Sequence, residues 1–150
     1  MSEPLKRVLF VCVGNACRSQ MAEGFGRVLG EDAMIAASAG IHPAMAVMPD
    51  TVRAMAEKRI DLRDQFPKSI RHLRRAQFDL VVNMTGYALP DDTVAPVEEW
   101  MVPDPVAMKY EDHCKVRDEI ERLVMDLILK LRQEQHAPRF RGQGSGRLKI

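Results

Sequence analysis

One stretch constrains this chain more than any other: Val8-Leu9-Phe10-Val11-Cys12-Val13-Gly14-Asn15-Ala16-Cys17-Arg18-Ser19. Val8 to Val11 is an unbroken apolar run rich in β-branched and aromatic side chains, which predicts a strand buried on both faces, as in parallel sheets. Met21, Phe25, Val28 and Leu29 follow at helical spacing and predict a helix over 20–29 with one apolar stripe. Between strand and helix lie Cys12, five further residues, and Arg18. A loop that ends at a helix N-terminus aims several backbone N–H groups at one point and makes a ready site for an oxyanion.

The residue types suit such a site. Cys12 stands where the strand stops, and the backbone dipoles and the Arg18 cation are expected to favour its thiolate form, a nucleophile beneath a bound oxyanion. The planar fork of Arg18 can hold two equatorial oxygens. Gly14 is expected to let the backbone turn and approach the anion, and Asn15 to accept a positive φ and pin the loop. Ser19 can cap the helix or donate to the Cys12 sulfur. Val13, Gly14, Asn15, Ala16, Cys17, Arg18 and Ser19 are thus the candidate phosphate-binding residues. A nucleotide P-loop is not matched, because there is no second glycine and no Lys-Ser/Thr pair.

The same loop, continued by Gln20-Met21-Ala22-Glu23-Gly24-Phe25, resembles the low-molecular-weight protein tyrosine phosphatase family and its arsenate reductase branch. Ser38-Ala39-Gly40, Phe78 to Met84 and Asp104-Pro105 extend the resemblance from residue 6 to about residue 133. It implies an α/β fold, three layers α/β/α with a four-stranded parallel sheet, and Cys12 and Arg18 as catalytic residues. It places the general acid, which protonation of a leaving oxygen requires, at Asp104 in the only Asp-Pro of the chain, with Asp91, Asp92 and Asp112 as fallbacks.

At 150 residues the chain suffices for one domain with a proper core. A net charge of +1 suggests neither a nucleic-acid nor a membrane partner, and no apolar run approaches the length of a membrane span. Met1 to Arg7 leads straight into the first strand with no secretory pattern, and three cysteines make no disulfide framework, so a cytoplasmic setting is expected. The histidines are scattered and the cysteine spacing is wrong for zinc, so no metal or other cofactor is expected.

Further along, Met34 to Ser38 predicts a second strand, with Ser38-Ala39-Gly40 opening a loop that the resemblance places at the pocket rim. Asp50 is expected to cap a helix carrying Val52, Met55 and Ala56. Ile60, Leu62, Phe66, Ile70 and Leu73 are the expected buried points of a charged segment with a short helix after Pro67, and Arg71, Arg74 and Arg75 a solvated face. Phe78 to Met84 predicts a third strand and Val94 to Val102 a fourth, with Trp100 in it. A last helix is expected from about Glu111 to Gln133, with its buried stripe running from Val116 to Leu131. Strands alternating with helices predict a parallel sheet, with the anion loop at the strands' carboxyl ends. Residues 136–150 hold Arg139, Arg141, Arg147 and Lys149 and no acid, which leaves 18 cations against 21 acids elsewhere and predicts a catalytic domain over 1–135 with a flexible basic tail.

Cys17 reads either as a packed side chain or as a thiol that resolves oxidised Cys12; Cys114 reads as structural, and His72 and His113 as surface or ion-paired residues. Two activities follow. One is a phosphatase acting on phosphate monoesters, foremost protein phosphotyrosine, through a cysteinyl-phosphate. The other is arsenate reduction by Cys12 with an external thiol. Gln20, Met21 to Phe25, Val116 to Ile120 and Val106 after Asp-Pro resemble the reductase branch. The stretch from Met84 to Asp92 lacks the cysteines of an internal thiol relay, and hydrolysis, which needs none, is ranked first. The expected partners are a phosphorylated protein or small phosphate monoester, or arsenate; the oligomeric state is left open.

Overall fold

A computed structural model describes residues 4–73, 78–90 and 95–137. The elements run β1 (Lys6–Cys12), α1 (Arg18–Leu29), β2 (Met34–Gly40), α2 (Pro49–Ala56), β3 (Leu80–Asn83), β4 (Val97–Glu99) and α3 (Tyr110–Gln135), with 3₁₀ turns at Ile70–Leu73 and Pro105–Ala107. The four strands form one parallel sheet in the order β2-β1-β3-β4. This is the expected α/β fold. The chain leaves β1 toward β2 on one side and returns to β3 on the other. The carboxyl end of β1 therefore lies at the point where the strand order reverses, the place where open parallel sheets form a ligand crevice.

The outer layers are unequal. Val8, Phe10 and Val82 on one face of the sheet pack with Met21 and Phe25 of α1, Met55 of α2, and Val116, Ile120, Val124 and Ile128 of α3. The other face buries Leu9, Val11, Ala39 and Val81 under Ile70 of the first 3₁₀ turn, with Leu73, Phe78, Leu89 and Ala95 against them. β1 is apolar throughout its central run because both of these layers cover it.

Several sequence expectations are corrected at element edges. The helix after Pro67 is a single 3₁₀ turn, and β4 is three residues long, ending before Trp100. Ser38 to Gly40 are the last residues of β2 rather than the start of a loop. Phe66 and Val28 are exposed, at 61% and 48%, while Ile60, Leu62 and Ile70 are buried as expected. Asp91, Asp92, Arg74, Arg75, Val94 and the four tail cations lie outside the described residues. Among the described residues, no helix is long and apolar enough to cross a membrane.

Candidate active site

Cys12 is the last residue of β1 and is 3% exposed. The loop after it turns every carbonyl outward. Cys12 O accepts from Ile41 N at 3.3 Å, Val13 O from His42 N at 2.8 Å, Gly14 O from Ala44 N at 2.9 Å and Ala16 O from Met48 N at 3.1 Å. Asn15 O accepts from Gln20 Nε2 at 2.9 Å, and Cys17 O from Met21 N at 3.0 Å. The N–H groups of residues 13–19 donate to no acceptor among the described residues. Carbonyls held outward leave amides free to converge, which is how a backbone loop binds an anion.

Asn15 takes φ +50 and is wholly buried. Its side chain is fixed from both ends: Oδ1 accepts from Lys68 N at 2.9 Å, while Nδ2 donates to Ser19 Oγ at 2.7 Å and Ser38 Oγ at 3.0 Å. Ser38 in turn donates to the Glu23 carboxylate at 2.6 Å. Gln20, also wholly buried, ties the Asn15 carbonyl to Phe66 O and is itself held by Gln65 Nε2 at 2.6 Å. Gly14 has no positive φ, and a Cβ there would make only ordinary contacts. The glycine the loop requires is Gly40, where a Cβ would fall 2.8 Å from Val13 O and 2.9 Å from Asn15 N. Ser19 is not the helix cap; its hydroxyl lies 2.9 Å from Cys12 Sγ.

Arg18 is buried at the start of α1. One terminal nitrogen donates to Met84 O at 2.7 Å and Val102 O at 3.0 Å, so backbone carbonyls in the segments that follow β3 and β4 fix the guanidinium. The other terminal nitrogen is 3.6 Å from Asp104 Oδ2, and Nε is buried with no partner among the described residues. The Nε edge of the fork is therefore the part left for an oxyanion. Asp104 accepts from Val106 N at 3.1 Å, which caps the Pro105–Ala107 turn, and its side chain is 47% exposed. The fold thus brings Cys12, Arg18, Asp104 and the loop together.

Other expectations divide. Cys17 is buried, with its thiol 3.0 Å from Met48 Sδ. Burial pushes that thiol up to about 11, against a lowering contact from the Thr51 hydroxyl. All three cysteines are free. His113 is not a surface residue but wholly buried, with Nε2 2.9 Å from Thr51 Oγ1. Sequence reasoning missed the parts played by Gln20, Glu23, Thr51 and His113. The available signal was the polar series Ser19, Gln20 and Glu23 on a helix turn that must pack against a buried strand.

The chain matches the family model for low molecular weight phosphotyrosine protein phosphatase over residues 7–137. It belongs to that family. Within the family, a glutaredoxin arsenate reductase of Synechocystis sp. is 34% identical over 131 residues, covering 85% of this chain and 99% of that protein. An arsenate reductase of Staphylococcus xylosus is 37% identical over 130 residues, covering 83% and 98%. A solved arsenate reductase in its phosphate binding state has a TM-score of 0.79 at 34% identity, covering 85% of this chain and 99% of that one. A low molecular weight protein tyrosine phosphatase from T. tengcongensis has a TM-score of 0.69 at 31% identity, covering 83% and 99%.

These relatives overturn the ranking drawn from the sequence, which placed a phosphatase of phosphate monoesters, chiefly phosphotyrosine, ahead of a reductase. That ranking gave decisive weight to the lack of cysteines between Met84 and Asp92. Their lack removes an internal relay from that loop, but it leaves a reductase served by a thiol from outside.

Proposed function

We propose that this protein reduces arsenate to arsenite, with Cys12 as nucleophile and an external thiol as the source of electrons. The observation that carries the reading is the kinship with arsenate reductases across 85% of the chain and 99% of the relative. Arsenate and phosphate are both tetrahedral oxyanions, so the outward-turned carbonyls and the Arg18 fork suit arsenate equally.

In this reading the loop amides and Arg18 bind the arsenate oxygens. The Cys12 sulfur forms a bond to arsenic, and one arsenate oxygen leaves as water after receiving a proton from Asp104. A small external thiol then attacks the Cys12 sulfur. The sulfur–arsenic bond breaks, its electron pair stays with arsenic, and arsenite departs while Cys12 and the thiol are joined as a mixed disulfide. A second thiol releases Cys12 by exchange. The balance is one arsenate and two thiols giving one arsenite, one disulfide and one water. Cys17 contributes its backbone N–H; its thiol, buried against Met48, is poorly ionised and is not the reductant.

A trapping experiment tests this order of events. Protein is mixed with arsenate and limiting glutathione, quenched with an alkylating agent, digested and mapped by mass. Glutathione attached to Cys12, only when arsenate is present, is the expected result. A Cys12–Cys17 disulfide, or no arsenate-dependent adduct, would contradict it.

A further inference from the structure

We propose that His113 is a positioning residue that latches the Asp104–Pro105 turn over the anion loop when an oxyanion is bound. The inference rests on the role given to Asp104 in the reaction above. His113 and Thr51 are both wholly buried, on α3 and α2, and His113 Nε2 lies 2.9 Å from Thr51 Oγ1. Thr51 also meets the Cys17 thiol, so one polar chain runs from the anion loop to the imidazole.

The other edge of the ring is incomplete. Two buried side-chain N/O atoms lack a hydrogen-bond partner among the described residues: His113 Nδ1 and Arg18 Nε. Both lie beside the same turn. The Pro105 backbone faces the His113 ring without closing a hydrogen bond, and Arg18 reaches the neighbouring Asp104 only at 3.6 Å. Asp50, Asp104 and Arg117 are the charged groups facing the ring, and burial holds His113 below its ordinary value.

Hydrogen-bond logic assigns the tautomer. The Cys17 thiol donates to Met48 Sδ at 3.0 Å, which leaves the Thr51 hydroxyl free to donate to Nε2. The Pro105 backbone, having no N–H, can only accept, so the ring proton sits on Nδ1, facing the Pro105 carbonyl. A buried donor without an acceptor is costly. An oxyanion supplies an acceptor at Arg18 Nε. A small inward movement of the turn then supplies one at His113 Nδ1 and brings Asp104 over the reacting centre. The two donors are satisfied together, which couples binding to closure.

The test uses the full ¹⁵N-labelled chain and inorganic phosphate as probe. Histidine-ring NMR should show the Nδ1–H tautomer at His113, with its proton shifting downfield and exchanging more slowly as phosphate binds. The Nε2–H tautomer, or an Nδ1–H signal that stays put while loop amides shift, would overturn the latch. Two amide variants add a kinetic readout, because asparagine keeps an N–H near the Nδ1 position and glutamine near Nε2. His113→Asn should hold kcat with arsenate within about threefold, whereas His113→Gln should lose about tenfold, with a smaller change in KM, as expected for one hydrogen bond formed after binding. Equal loss in both, the outcome of a merely space-filling role, would overturn the proposal. If neither variant folds, the wild-type NMR decides. If the protein makes no arsenite at all, the reductase reading fails while the phosphate titration still judges the latch.

Discussion

Ser19 Oγ lies 2.9 Å from Cys12 Sγ, and the bonds behind it settle which of the two donates. Lys68 N donates to Asn15 Oδ1 and so fixes the side-chain amide, which presents its N–H groups to Ser19 and Ser38. The Ser38 proton goes to the Glu23 carboxylate. Ser19 accepts from Asn15, which leaves its own proton for the Cys12 sulfur. In the proposed reaction a hydroxyl donated to the Cys12 sulfur stabilises the negative charge that the attacking sulfur carries. Ser19→Ala should therefore cut kcat with arsenate roughly 10- to 100-fold, the range for a hydrogen bond to a charged group. Phosphate affinity, which rests on the loop amides and Arg18, should change by less than about threefold. An unchanged kcat would show that Ser19 is only packing.

Two glycines near the loop should behave in opposite ways. Gly40→Ala puts a Cβ 2.8 Å from Val13 O and 2.9 Å from Asn15 N, backbone atoms that cannot step aside. It should cost about 1–3 kcal/mol, as overpacking does, and weaken phosphate binding. Gly14→Ala meets nothing closer than 3.9 Å and should leave stability within about 0.5 kcal/mol. Urea unfolding of the two variants, with and without phosphate, makes the comparison. The reverse order would refute the close-approach argument.

Alkaline pH tests the burial of Cys17. Its thiol is raised to about 11 in the folded chain, above the ordinary value of 9.0. Between those values the unfolded chain loses this proton while the folded chain keeps it. Its contribution to stability is thus complete below pH 9 and lost as the pH climbs toward 11, by up to about 3 kcal/mol at 1.36 kcal/mol per unit. Cys17→Ala should flatten the stability profile in that window relative to wild type. At neutral pH, iodoacetamide should label Cys17 far more slowly in the folded protein than in the unfolded chain. Rapid labelling of Cys17 in folded protein would contradict its burial.

Arg59 carries φ +61 just past the end of α2, where Arg59 N donates to Ala56 O and Ile60 N to Met55 O. This is a Schellman-type ending with a side chain in the position that favours glycine. Arg59→Gly should stabilise the protein by about 0.5–1 kcal/mol, and thermal unfolding would register it as a Tm raised by roughly 1–4 °C. A lower Tm would mean that the arginine makes a compensating contact.

Much of this was legible in residues 8–19 because a buried strand, an anion loop and a helix start each leave a local mark. Asp104 could be singled out because the family resemblance asks for an acid in an Asp-Pro loop and the chain has one Asp-Pro; the fold sets it 3.6 Å from Arg18. The reach of Gln20 to Phe66 O could not be read, nor the pairing of Thr51 with His113, since both join positions far apart in the chain whose nearness only the packed layers create. Gly14 drew attention by lying inside the motif, but the steric demand falls on Gly40, which the parallel register sets opposite Cys12. The choice of reaction was the hardest to read. Hydrolysis and the proposed reduction would ask the same first step of Cys12, and they differ in a thiol that the proposal draws from outside the chain.

Arsenite production is therefore the measurement that bears most directly on the central claim. Wild-type protein and Cys12→Ser are incubated with arsenate and glutathione, and arsenite and oxidised glutathione are both counted. The wild type should release arsenite with one glutathione disulfide for each, and Cys12→Ser should release none while still binding phosphate. No arsenite from a wild-type preparation that binds phosphate, or undiminished arsenite from Cys12→Ser, would contradict the account.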